Sequence, residues 1–170
     1  MVLWLPELHI SRSLKRRIRA GSFRVTADTS FRQVMTACAE ARRGGTWITD
    51  DMIAAYTALH HRGHAHSIES WEGERLVGGV YGVSLGRMFF GESMFARSSD
   101  ASKVAFAHLV YQLGRWDFEL IDCQMATAHL ASLGAREIPR ADFLARVDLL
   151  TRQPPVPSPW RLDTDLAESF

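Results

Sequence analysis

A chain of 170 residues, 46% hydrophobic and 23% charged, is long enough for one globular domain with its own core and too short for two of ordinary size. No apolar run reaches the roughly 18 to 20 residues of a membrane helix, and the opening MVLWLPELH is too short and interrupted for a signal peptide, which points to a soluble cytoplasmic protein. Two distant cysteines, Cys38 and Cys123, give neither a disulfide framework nor a cysteine zinc site.

The net charge of +1 conceals an uneven distribution. Arg12, Lys15, Arg16, Arg17, Arg19 and Arg24 stand together without an acid, leaving 14 of the 20 bases to offset all 19 acids elsewhere. Such an arm is a candidate phosphate-binding element, because each base that meets a backbone phosphate releases a counterion. The plainer alternative is a solvated helix face.

Ser30 and Gln33 have capping-box spacing, and Phe31, Val34, Met35 and Cys38 recur at helical intervals until Gly44-Gly45. Thr49, with Asp50 and Asp51 in the first turn, opens a second helix through Tyr56 and Leu59 to Gly63. Three strands are predicted next: His64 to Trp71, Arg75 to Leu85 after the turn at Glu72-Gly73-Glu74, and Arg87 to Phe95 after Gly86, forming an antiparallel meander. Ser99 is placed to cap a third helix with Val104, Phe106, Leu109, Val110 and Leu113 on its apolar stripe, and Phe118 to Gln124 reads as a strand, which makes the helix a crossover. A short helix from Thr127 to Leu133 closed by Gly134, a short strand from Arg136 to Ile138 and a helix from Pro139 to Leu150 follow. The prolines of RQPPVPSPW then predict an extended tail pinned by Trp160. The whole is an α/β (α+β) arrangement, a mixed and largely antiparallel sheet flanked by helices, compatible with an acyltransferase fold of the acetyltransferase (GNAT) type.

The strings LHISRS (8–13), GTWIT (45–49), GHAHSIE (63–69), LVGGVYGV (76–83), FGESMF (90–95), ASK (101–103), LIDCQ (120–124) and HLASLGAREIPR (129–140) occur in an order that closely resembles the leucyl/phenylalanyl-tRNA protein transferases, over roughly Leu3 to Leu150. The resemblance implies transfer of Leu, Phe or Met from aminoacyl-tRNA to the α-amine of a protein N-terminal Arg or Lys, which creates a degradation signal (N-degron). It implies aminoacyl-tRNA as a substrate, protein or peptide acceptors, and no cofactor, metal or membrane; a monomer is expected. Members usually carry a further Trp- and Pro-rich segment ahead of the point matching Leu3-Trp4. The chain accordingly divides into an N-terminal extension with the basic arm (1–29), a GNAT-like aminoacyltransferase domain (30–150) and a Pro-rich tail (151–170).

On a continuous strand Asp122 and Gln124 project to one face and Cys123 to the other. In the resembled family the matching Asp and Gln assist the incoming amine; without it, an acid that satisfies loop amides is the simpler reading. Cys123 with nearby His129 invites a thiol-nucleophile reading, but an amine attacks an ester directly and needs no acyl-enzyme, so a buried small hydrophobe is preferred. His60, His61, His64 and His66 lack a completing carboxylate or thiol for a metal. Phe106, Leu109 and Leu113 on the helix, with Val80, Met94 and Ile121 from the strands, match the family's aminoacyl pocket; ordinary core is the alternative for each. Glu92 is placed to receive either the aminoacyl ammonium or the acceptor's Arg/Lys side chain. Trp47 and Tyr56 either stack on the terminal adenine or wall the pocket. Lys103 is a candidate for a phosphate of the tRNA end, and Arg12, Lys15, Arg16 and Arg19 for the tRNA backbone.

Two other functions compete. A CoA-dependent N-acetyltransferase of the same fold wants Q/R-x-x-G-x-G/A before the crossover helix, where this chain has Arg97 to Ser102 with Asp100 in place of a glycine, an acid that repels phosphate. A catalytically inactive RNA-binding remnant would use the basic arm alone, and the retention of Asp122 and Gln124 argues against it.

Overall fold

The computed structural model describes residues 1–41 and 45–170. One six-stranded sheet runs through it in the order β1-β6-β5-β4-β3-β2. The meander of β3 (Ala65–Glu72), β4 (Arg75–Leu85) and β5 (Met88–Ala96) is antiparallel throughout. β2 (Arg24–Ala27) pairs antiparallel with β3 at one edge. At the other edge β6 (Leu120–Asp122) lies parallel to β5, and β1 (Val2–Trp4) pairs antiparallel with β6.

Two helical layers cover the sheet because the residues of β4 alternate. Val80 joins the cluster built around α4 (Ala101–Arg115), with Phe106, Leu109 and Leu113, while Tyr81 joins Phe31, Val34 and Met35 of α2 (Phe31–Glu40) and Ile53 of α3 (Asp50–His61). α4 is buried on nearly every side, since α1 (Arg12–Arg19) covers it further through Leu14 and Ile18. Its start lies directly on β4: a Cβ at Gly78 would come within 2.5 Å of the Ala101 Cβ, so no larger residue fits there. α5 (Ala128–Ser132) and α6 (Arg140–Thr151) complete the chain before the tail.

Local signals held where the capping side chain has no rival. Thr49 Oγ1 accepts from the Met52 amide and Thr127 Oγ1 from the Leu130 amide. Ser30 does not cap α2 with its side chain. The buried Glu69 carboxylate stands there instead, accepting from the Ser30 amide and from the hydroxyls of Thr26, Thr29 and Ser67. Burial pushes this carboxyl up, while those four donors favour its charged form. α4 is preceded by Asp100 in a left-handed conformation (φ 63°) with no side-chain cap, in place of the expected Ser99. α2 ends at Glu40, and Gly44 of the expected stop lies outside the described residues.

Two expected segments are shorter than the sequence pattern indicates, and a third is shifted by one residue. The strand from Phe118 to Gln124 is confined to Leu120–Asp122, between left-handed Asp117 (φ 60°) and Gln124 (φ 58°). Arg136 to Ile138 provides a single bridge, Val2 to Arg136, rather than a strand. The final helix starts at Arg140, with Pro139 as the residue before it. The tail follows its expected course to Trp160, which is 1% exposed and stacked 3.7 Å from the His66 ring.

Candidate active site

Pairing between β5 and β6 covers only Phe89 with Ile121 and Phe90 with Asp122. Past that point Gln124 turns β6 away, so Gly91 to Met94 of β5 has a strand partner on the β4 side alone. The opening is a cavity of about 320 Å³. Its buried apolar wall is Val80, Phe106 and Ile121, with the partly buried Met94. Gln124, Met125, Thr127 and His129 form its exposed side, and Trp47, 40% exposed, also borders it.

Glu92 lines this cavity because of an irregularity in β5. Tyr81 pairs with Ser93 and Gly82 with Gly91, which leaves Glu92 as the extra, unpaired residue of a β-bulge. The Gln124 amide and the Tyr56 hydroxyl both stabilise its ionised form. Burial nevertheless pushes its carboxyl up, and the charge of Asp122 adds to the rise. Tyr56 is raised in turn, first by burial and then by the Glu92 charge. An acid, an amide and a phenol from three elements thus converge beside an apolar seat.

Asp122 and Gln124 are neighbours, but not through strand alternation. Strand pairing ends at Asp122, and its Oδ1 accepts from the Gln124 backbone amide at 2.8 Å, closing a turn in which Gln124 takes a left-handed conformation. That conformation costs a non-glycine residue roughly 1 to 2 kcal/mol, and it carries the Gln124 side chain to Glu92. Cys123, between them, lines the cavity with its thiol pushed up to about 11 by burial and by Asp122. A thiol so placed stays protonated at neutral pH and is a poor nucleophile.

The other candidates separate. Leu109 (1% exposed) and Leu113 (0%) do not reach the cavity; they follow Phe106 down α4 into the core. Lys103 does not line it either and pairs with Asp100 at 3.3 Å. Arg19 donates to the Phe170 backbone oxygen, whereas Arg12, Lys15 and Arg16 make no side-chain ion pair or hydrogen bond among the described residues. The histidine group does not gather around one point, although His60 and His66 both approach the buried Asp28 carboxylate, an acid the local sequence does not supply: His60 Nδ1 meets the Ala65 carbonyl and lies 3.9 Å from Asp28, and His66 lies between Asp28 and the Gly63 carbonyl. Among the described residues no cluster of three or more His, Cys, Asp or Glu is placed to hold a metal, and no helix is long and apolar enough to cross a membrane. Met125, Thr127, His129 and Leu130 are wall residues beyond those the sequence indicates; the signals for them were their position just after the LIDCQ string, where the chain must leave the strand, and, for His129 and Leu130, their place at the start of HLASLGAREIPR.

A helix-covered sheet that opens beside its crossover helix onto an apolar seat with adjoining acid and amide suits group transfer to an amine, and the comparisons with known proteins agree. The profile described as leucyl/phenylalanyl-tRNA protein transferase matches residues 2–148. Curated proteins of that name from Nitrosospira multiformis and from an Anaeromyxobacter species are 56% and 58% identical over 170 and 166 residues, which is 99% and 96% of this chain and 73% and 71% of theirs. The chain belongs to the leucyl/phenylalanyl-tRNA protein transferase family, aminoacyltransferases that act from tRNA onto proteins. A solved structure of a conserved protein of unknown function from Staphylococcus epidermidis superposes at 9% identity over 74% of this chain and 62% of that one, with a TM-score of 0.39, too distant to bear on function.

Proposed function

We infer that this chain transfers Leu, Phe or Met from aminoacyl-tRNA to the α-amine of a protein that begins with Arg or Lys, marking it as an N-degron in the cytoplasm. The observation that carries this reading is the cavity: an apolar seat of Val80, Met94, Phe106 and Ile121 next to Glu92 and Gln124. The seat takes the amino-acid side chain, with Met94 deformable enough for aliphatic and aromatic groups alike. Glu92 holds a cationic group, either the aminoacyl ammonium or the acceptor's basic side chain, and Asp122 and Gln124 serve the attacking amine. Trp47 borders the seat where the terminal adenine would stack, and Tyr56 supports Glu92. In this reading the enzyme is a monomer on a GNAT-type fold with no cofactor and no metal, and residues 30–150 hold its catalytic unit.

The CoA-dependent alternative is disfavoured by the start of α4. The Asp100 carboxylate stands there, 3.3 Å from both Arg17 and Lys103, where a CoA pyrophosphate would need free amides. The deciding experiment supplies labelled Leu-tRNA, Phe-tRNA or acetyl-CoA with a peptide beginning with Arg. Label is expected to enter from the two aminoacyl-tRNAs, and incorporation from acetyl-CoA alone would reverse the assignment. In the same assay Phe106→Ala should shift the choice between Leu and Phe by tens of fold, since each methylene of pocket fit is worth about 1 to 3 kcal/mol. An unaltered choice with lowered thermal stability would make Phe106 core only.

α1 presents the tRNA-binding side. Leu14 and Ile18 face α4, which leaves Arg12, Lys15 and Arg16 available for phosphates, while Arg19 is already engaged. Replacing Arg12, Lys15 and Arg16 by Ala should flatten the dependence of log K on log salt by up to about 0.9 per lost contact on duplex, with amino-acid choice unchanged. A slope equal to the parent's would remove the arm from the interface.

A further inference from the structure

We propose that His129 is the general acid of the transfer, giving a proton to the ribose oxygen as it leaves the aminoacyl ester. The role rests on the reading of the cavity as the aminoacyl site. Of the described side chains that line the cavity, His129 alone can carry a positive charge, and an imidazole ring can both give and take a proton. Its surroundings differ from those of the buried His66 and His108 and the half-buried His60. His60, His66 and His108 each have a ring nitrogen held by a carbonyl or by Asp28, whereas the exposed His129 ring has no hydrogen-bond or ion-pair partner among the described residues. An unheld imidazole at the wall of a substrate cavity is free to address the substrate.

The chemistry leaves a vacancy that such a group fills. The acceptor nitrogen forms its bond to the ester carbonyl carbon and gives up a proton on the Asp122 side. The carbon–oxygen bond to the ribose then breaks, and its electron pair goes to the ribose oxygen. An alkoxide is a poor leaving group, so that oxygen needs a proton as the bond breaks, and Glu92 is already engaged by the Gln124 amide and the Tyr56 hydroxyl, whereas the His129 ring stands unengaged at the cavity wall. The imidazolium of His129 supplies it and is recharged from solvent. One proton is released by the amine and one is taken up by the leaving alcohol, so no other reactant is required.

The test uses single-turnover transfer from leucyl-tRNA to an Arg-initiated peptide. His129→Ala is expected to run about 10²-fold slower than the parent chain, with an unchanged melting temperature because the ring has no partner to lose. Free imidazole should restore part of that rate in proportion to its protonated form. His129→Gln, which fills the space and has no proton to release, should be equally slow and indifferent to imidazole. Parental rates in both variants, or a loss in His129→Ala that imidazole leaves untouched, overturn the role. Failure of the underlying reading looks different: if Phe106→Ala leaves the choice between Leu and Phe unaltered, the cavity is not the aminoacyl seat and the acid falls with it. A shifted choice beside a parental His129→Ala rate removes the acid alone.

Discussion

Asp122→Asn is expected to slow single-turnover transfer by about 10² to 10⁴-fold with tRNA affinity nearly kept. The substitution isolates the charge. Asp122 Oδ1 holds the Gln124 amide at 2.8 Å, and Asn keeps that oxygen, so the turn that places Gln124 survives. A total loss is not expected, because an α-amine has a reference pKa of about 7.7 to 8.0 and part of it is already neutral at pH 7. Holding amine and ester in line can contribute about 7 to 11 kcal/mol, whereas a positioned base contributes roughly 3 to 5 kcal/mol. Raising the pH should therefore recover part of the rate by supplying neutral amine. Asp122→Ala, which loses charge and turn together, should fall further, and Gln124→Ala combined with Asp122→Asn should be less than additive because both act on one group. A rate near the parent's in the Asn variant at pH 7 would reduce Asp122 to a turn-holding acid.

Trp160→Ala should lower stability by about 3 to 5 kcal/mol, read as a fall in the urea midpoint with little change in slope. The indole lies against the rings of His66, Phe89, Trp116 and Phe118. Its backbone amide donates to Asp28 Oδ2 at 2.7 Å, and the same oxygen meets His66 Nδ1 at 2.8 Å. Truncation would leave a void where the tail meets the sheet and expose that buried acid to a loosened neighbour. A loss below about 1 kcal/mol would mean that the surroundings collapse onto the gap, which close-packed rings rarely allow.

The meander and the helices were legible because their signals are local: turns at Gly73 and Gly86, and caps at Thr49 and Thr127. Four wall residues, Val80, Met94, Phe106 and Ile121, were named through the family resemblance; periodicity alone put them on one helix face and the strands beneath it, where core and pocket read alike. What escaped depends on partners far away in the chain. β1 has three residues and no pattern of its own, and it becomes a strand through residues 120–122. The bulge at Glu92 is invisible in a single strand because it is a mismatch between two. Helical periodicity put Leu109 and Leu113 on the face of Phe106, but it does not say where along the helix the sheet opens. Strand alternation failed for Asp122 and Gln124 because a side-chain acceptor captured the backbone first.

The pairing of Leu3 with Ile121 also sets a timetable. At roughly 5 to 20 residues per second of synthesis, Leu3 waits about 6 to 24 s for its partner to be made, and Trp160 comes later still. Local helices and the meander form early, whereas closure of so long a loop is slow. Once made, β5 presents a bare edge where β6 will lie, open to neighbouring chains for the roughly 1 to 5 s before residues 120–122 follow. The cavity, bounded by β6 and the turn after it, is consequently among the last parts of the molecule to exist, so a ribosome-bound chain that has not yet made residues 120–124 has a sheet but no cavity beside it.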